Sequence, residues 1–212
     1  MKIIDLTHTI KPGMPVYPGT EPPVFETPAS IETDGFLEKK ITLFSHTGTH
    51  VDAPAHLFPE GVTLNQLPVT HFAGPGFVVD VSKITGSRIT VDHLRPYQKK
   101  FESQAFILLY SGWENNWGRE AYFYDFPVMD EAAAEWITQF GLKGLGLDMI
   151  SVDAIDSHDL PVHRILLKNN FIIIENLKNL STLRRHDFLF CCFPLKINQA
   201  DGAPTRSAAI LS

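Results

Sequence analysis

The stretch Ser45 to Gly61, SHTGTHVDAPAHLFPEG, constrains the fold more tightly than any other part of the chain. It places four good metal ligands, His46, His50, Asp52 and His56, at even-numbered positions. On a helix, at about 100° per residue, Asp52 and His56 would swing roughly 240° and 280° from His46, so the four would not converge. Thr47, Gly48, Thr49 and Pro54 are also poor helix residues. On a strand the even positions share one face, and Thr47, Thr49, Val51, Ala53 and Ala55 form an opposite packing face. A straight strand from 46 to 56 would run about 33 Å, too long for one site. The chain must therefore bend. Gly48 permits a bulge on the ligand face, and Pro54 ends regular pairing and turns the chain. The spacing predicts a bent strand end where His46, His50 and Asp52 converge, with His56 just past the turn.

The donor types indicate the chemistry. Imidazole and carboxylate suit zinc or manganese, and the absence of thiolate argues against a structural zinc knot. Two histidines and one carboxylate leave coordination positions open for water and substrate, as a catalytic site requires. A single histidine would read as a surface or capping residue; three with an aspartate in eleven residues do not. Elsewhere the signals are weaker. Glu175 ends the apolar run FIIIE, where it is either an exposed strand-end glutamate or a buried carboxylate in need of a cation. His163, in PVHRILL, reads by itself as an ordinary helical histidine, and His8, His71, His93, His158 and His186 read as non-functional. Of these, His158 lies in a loop close to His163.

Strand and helix signals alternate along the chain. Strands are expected over Gly76–Lys83 and in QAFILLYSG, LKGLGLDMISVD, FIIIENL, FLFCCFPLKI and SAAILS. A short helix follows Thr90 as N-cap. MDEAAAEWITQFG is the clearest helix, capped by Asp130 and closed by Gly141, and Pro161 opens another in LPVHRILLKNN. The early KPGMPVYPGTEPP reads as a rigid loop able to flank a site. The pattern is mixed α/β with more strand than helix, in one domain over residues 1–212. A net charge of −6 argues against a nucleic-acid partner, and Arg184-Arg185-His186 reads as a solvated turn. No apolar run reaches the roughly 18 residues of a bilayer span, and the N-terminus lacks signal-peptide features. The adjacent Cys191 and Cys192 are badly placed to pair with each other, and the default compartment is the cytoplasm.

HTGTHVDAPAH resembles the signature of the cyclase-like metal-dependent hydrolases, a family that includes bacterial kynurenine formamidases and isatin hydrolases. IDLTHTIKPGMPVYPG, GLGLDMISVD, HRILL, IIIENL and FPLKINQADGAPTRSAAI fall in the order seen in that family, so the resemblance covers nearly the whole chain. It implies an α/β fold, a mixed-sheet swivelling β/β/α domain with a β-barrel-like core. It implies one or two divalent ions per chain, zinc or manganese. His46, His50 and Asp52 would hold one ion, and Asp52 would bridge to a second held by His163 and Glu175. His56 would be the proton-transfer residue. A small-molecule substrate, a homodimer or homotetramer, and no membrane partner are the corresponding expectations. Tyr17 stands where the formamidases carry a substrate-stacking tryptophan, and Thr20 replaces an acid, so substrate preference is where this chain should differ. Tyr17, with Phe36 or Phe58, could wall a flat substrate. The reaction expected is hydrolysis of an amide or cyclic-amide C–N bond by activated water, with His56 as general acid/base. A metal-dependent cyclase or dehydratase is the alternative, and a non-catalytic metal or ligand binder on the same scaffold is a further one.

Overall fold

The alternation of side chains along the apolar runs builds two hydrophobic layers on one sheet. The computed structural model describes residues 1–211, and Ser212, the last residue of the strand expected at SAAILS, lies outside the described residues. In chain order the strands are β1 (Lys2–Asp5), β2 (Val24–Ala29), β3 (Glu38–Thr42), β4 (His50–Asp52), β5 (Ala73–Asp80), β6 (Arg88–Ile89), β7 (Phe106–Tyr110), β8 (Val128–Met129), β9 (Gly144–Leu147), β10 (Ile172–Glu175), β11 (Phe188–Cys191), β12 (Gly202–Pro204) and β13 (Ala208–Leu211). Nine of them form a mixed sheet in the order β1-β13-β11-β5-β7-β9-β10-β4-β12, curled into a half-barrel. The central β5, β7, β9 and β10 run parallel, and the flanking strands join antiparallel.

The helices are α1 (Ile31–Asp34), α2 (Val91–Leu94), α3 (Gln98–Phe101), α4 (Glu131–Ile137) and α5 (Pro161–Lys168). One layer packs Ile107, Leu109, Leu145 and Ile173 of the sheet against Ala133, Ala134 and Ile137 of α4 and Val162, Leu166 and Leu167 of α5. The other packs Phe106, Leu108, Ile172 and Ile174 against Val51, Leu64 and Phe190. Neighbours on one strand thus enter opposite cores, as the period of two requires. Asp130 caps α4 by accepting from the Ala133 N–H, and Pro161 opens α5, both as the sequence indicates. Thr90 and His93 form a reciprocal capping box on α2. α4 stops at Ile137, before the expected Gly141, and β5 runs three residues earlier than Gly76–Lys83 at both ends.

The bent strand end exists, but it is shorter than the parity argument suggested. Only His50–Asp52 pairs as strand. Gly48 adopts φ +66°, which breaks the extended run between His46 and His50. Pro54 then opens a single 3-10 turn, Pro54–His56. Thr47, Thr49, Val51 and Ala53 are buried, as a packing face should be. The β2–α1–β3 ribbon stands apart from the large sheet and leaves Val24, Ile31, Phe36, Leu37 and Ile41 exposed. Cys191 and Cys192 are both free thiols. Among the described residues no helix is long and apolar enough to cross a membrane.

Candidate functional site

Register assembles the site. β4 lies between β10 and β12, with Glu175 opposite His50, Ile173 opposite Asp52, and Gly202 also opposite Asp52. Residues directly opposite in a ladder share a face, so His50, Asp52 and Glu175 stand together on the side that α5 covers. α5 adds His163 from above, and all four side chains are buried. His46 enters from the turn before Gly48. It fits because Gly202 has no side chain: a Cβ there would lie 2.6 Å from His46 Cε1.

Two triads share Asp52. His46, His50 and Asp52 bring ligand atoms within 4.8 Å of one another, and so do Asp52, His163 and Glu175. His46 Nδ1 lies 2.7 Å and His50 Nε2 3.2 Å from Asp52 Oδ1. His163 Nε2 lies 3.8 Å from Asp52 Oδ2 and 3.4 Å from Glu175 Oε1. The second ring nitrogen of each histidine is tied outside this centre. His46 Nε2 meets Asp201 Oδ2 at 2.8 Å, His50 Nδ1 meets the Gly48 carbonyl at 2.8 Å, and His163 Nδ1 meets Asp153 Oδ2 at 2.7 Å. Each anchor is itself held. Asn176 Nδ2 donates to the Gly48 carbonyl, and Asp153 accepts the Val162 and His163 N–H groups at the start of α5. Such outer bonds fix ring orientation, so that each ring, once neutral, directs its lone pair inward.

The electrostatics fit a cation. Among the described residues, no lysine or arginine nitrogen lies within 4 Å of Asp52 or Glu175. Burial works against a charged His46, but Asp52 and Asp201 outweigh it and push its pKa up to about 10. For His163, Asp153 and Glu175 likewise overcome burial and raise the pKa to about 10. Burial alone would raise the Asp52 carboxyl, but His50 and His46 hold it well below its ordinary range. Asp201 is held low chiefly by its hydrogen bond from His46. The protein thus gathers buried anions whose positive partners are histidine protons.

His56 differs from the other three. It ends the Pro54–His56 turn, with Nδ1 3.4 Å from Asp201 Oδ2 and its ring centroid 4.1 Å from that of His46. Burial, reinforced by His46 and His163 against the pull of Asp52, lowers its pKa below the usual 6.5, so at neutral pH it is an uncharged base. Its ligand atom also lies within 4.8 Å of those of His46 and Asp201.

The histidines and carboxylates form the floor of a cavity of about 440 Å³. Tyr17 from the Pro-rich loop lines it, as the sequence suggests, and its hydroxyl donates to the Ile155 carbonyl at 3.2 Å. Phe36 and Phe58 do not line it: Phe36 is exposed on the β2–β3 ribbon, and Phe58 packs against the α4–α5 core. Pro15, Val16, Ile150, Ile155 and Leu160 supply the apolar wall instead, with Thr20 beside them. His158, read from sequence as non-functional, lines the cavity. Sequence reasoning missed Asp201, Asp153 and Asn176 altogether. An acid one residue before β12 or eight residues before α5 carries no local mark of its partner.

Comparison with known proteins agrees with this geometry. Residues 4–154 match the Cyclase family, described as "Putative cyclase". The chain is 30% identical over 207 residues to a kynurenine formamidase of Geobacillus thermodenitrificans, covering 97% of this chain and 95% of that protein. The solved structure of isatin hydrolase A from Ralstonia solanacearum superposes with a TM-score of 0.89 at 25% identity, covering 100% of this chain and 92% of that one. A structure described as a predicted metal-dependent hydrolase from Bacillus stearothermophilus gives 0.82 at 27% identity, covering 98% and 97%.

Proposed function

The chain belongs to the cyclase family, and on that premise we propose that it is a metal-dependent amidohydrolase cleaving the C–N bond of an arylformamide such as N-formylkynurenine, or of a cyclic amide. The observation that carries this reading is Asp52, shared by two His/carboxylate triads, all buried but the half-buried His46, at the floor of a cavity that His56 also lines. His46, His50 and Asp52 would hold one divalent cation, and His163 and Glu175, with Asp52, would hold a second. Zinc is the first choice and manganese the second, since both accept this nitrogen and oxygen donor set. Such a cation lowers the pKa of bound water from near 16 toward roughly 7 and polarises a carbonyl.

The chain's own residues do the rest. His56, uncharged at neutral pH, takes a proton from the attacking water and returns it to the leaving nitrogen. Tyr17, pinned through its hydroxyl, presents its ring to a flat substrate, and the apolar wall keeps bulk water from the reacting bond. The reading includes a cytoplasmic homodimer or homotetramer. Its supports are the free thiols, which need no oxidising compartment, and the exposed apolar ribbon, which suits contact with a second copy.

The test is hydrolysis of N-formylkynurenine by protein loaded with zinc or manganese, with metal content measured in the same sample. Turnover of roughly 1–10³ s⁻¹ is expected. No turnover from fully loaded protein discards that substrate and directs the search to cyclic amides.

A further inference from the structure

Asp201 sits behind two of the histidines that line the cavity, His46 and His56. Its Oδ2 lies 2.8 Å from His46 Nε2 and 3.4 Å from His56 Nδ1, so one oxygen serves both rings. A carboxylate oxygen has the lone pairs to accept both N–H bonds. The approach is built by the backbone. The Ala53 N–H donates to the Asp201 carbonyl at 2.8 Å, which ties the segment before β12 to the segment that leads into the His56 turn. Gly202, opposite Asp52 in the ladder, leaves the space that His46 occupies. Asp201 opens not into the substrate cavity but into a separate polar trough, lined by Glu60, Asn65, Gln66, Asn198 and Gln199. It therefore reaches the chemistry only through other side chains.

A proton-transfer histidine must keep one nitrogen free on the substrate side. A neutral imidazole has a single N–H, and whichever nitrogen carries it cannot accept a proton. A carboxylate beside Nδ1 decides between the two tautomers. We propose that Asp201 is a positioning residue for His56: its carboxylate accepts the Nδ1–H and leaves Nε2 as the nitrogen that exchanges protons with the reacting groups. This rests on the hydrolase reading above for its consequence, but not for the tautomer itself. The arrangement also links the two halves of the site, because the oxygen that orients His56 orients His46 as well.

The tautomer can be measured directly in the zinc-loaded protein by long-range 15N–1H correlation spectroscopy, with the His56 signals assigned by their loss in His56→Ala. The Nδ1–H form is expected in the parent protein. With zinc added until its content matches the parent's, Asp201→Ala should lose the fixed Nδ1–H form and lower kcat for N-formylkynurenine by about 10²-fold or more with KM changed by less than about threefold. An Nε2–H form in the parent overturns the proposal, and so does an unaltered tautomer in Asp201→Ala. A kcat that returns to the parent's value once zinc content is matched overturns it too, by placing the role of Asp201 in metal retention alone. If the zinc-loaded parent turns over no N-formylkynurenine, the substrate assignment fails while the spectra still decide the role of Asp201.

Discussion

At the residue scale, protons stand where cations belong. His46 and His163 each have a pKa near 10 because the carboxylates around them outweigh their burial. Both must be neutral to donate a lone pair to a metal. Below about pH 10 a metal therefore displaces protons from them, and the competition sharpens as pH falls. Zinc binding at pH 7 to 8 should release protons, and apparent affinity should drop as pH is lowered. Titration calorimetry in buffers of different ionisation enthalpy checks this; heats that do not depend on buffer would show that the two histidines are already neutral. His50 and His56 illustrate how far residue identity alone can reach. Both lie in one eleven-residue motif, yet one is buried between two carboxylates and the other is half-buried at the cavity beside Asp201. Spacing placed them near each other, and their surroundings separate their roles.

At the element scale, two loops and one helix complete what β4 begins. α5 carries His163 over the sheet face, and its first turn is anchored by Asp153, whose charge suits a helix N-terminus. Pro161 at the head of PVHRILL indicated the helix, but not which strand lies under it. The Pro-rich loop and the 150–160 loop meet at the Tyr17–Ile155 hydrogen bond, which closes one wall of the cavity. Tyr17→Ala removes both the ring and the pin without touching the ion-binding groups. It should raise KM for N-formylkynurenine by about tenfold or more while kcat falls less, the pattern of lost substrate binding. An equal loss in kcat with KM unchanged would instead give Tyr17 a part in the reaction's transition state. The parity argument overestimated strand length at 46–56 for a physical reason. A glycine at positive φ and a proline six residues later (Gly48, then Pro54 beyond β4) leave room for only three paired residues.

For the whole molecule, the half-barrel leaves one element without a counterpart. The β2–α1–β3 ribbon pairs only with itself and exposes Ile31, Phe36, Leu37 and Ile41, and on the proposed reading a second copy of the chain would cover it. Sedimentation equilibrium should give a dimer or tetramer, and Phe36→Ser with Ile41→Ser should lower the association state while leaving metal content unchanged; a monomeric parent would remove the oligomer from the reading. The sequence by itself determined the mixed α/β class, most strands and the two longer helices. It also determined the local cluster of His46, His50, Asp52 and His56, because side-chain period and the backbone limits of glycine and proline act within a few residues. The family resemblance named Glu175 and His163 for a second ion, but their local sequence did not, and only the tertiary structure brought them against Asp52, put His158 at the cavity and set Asp201 behind His46 and His56. Those positions depend on the pairing of β4 with β10 and β12 and on where α5 lies across them. Asp201 is 155 residues from His46 in the chain, and no short-range preference can encode a register between segments so far apart.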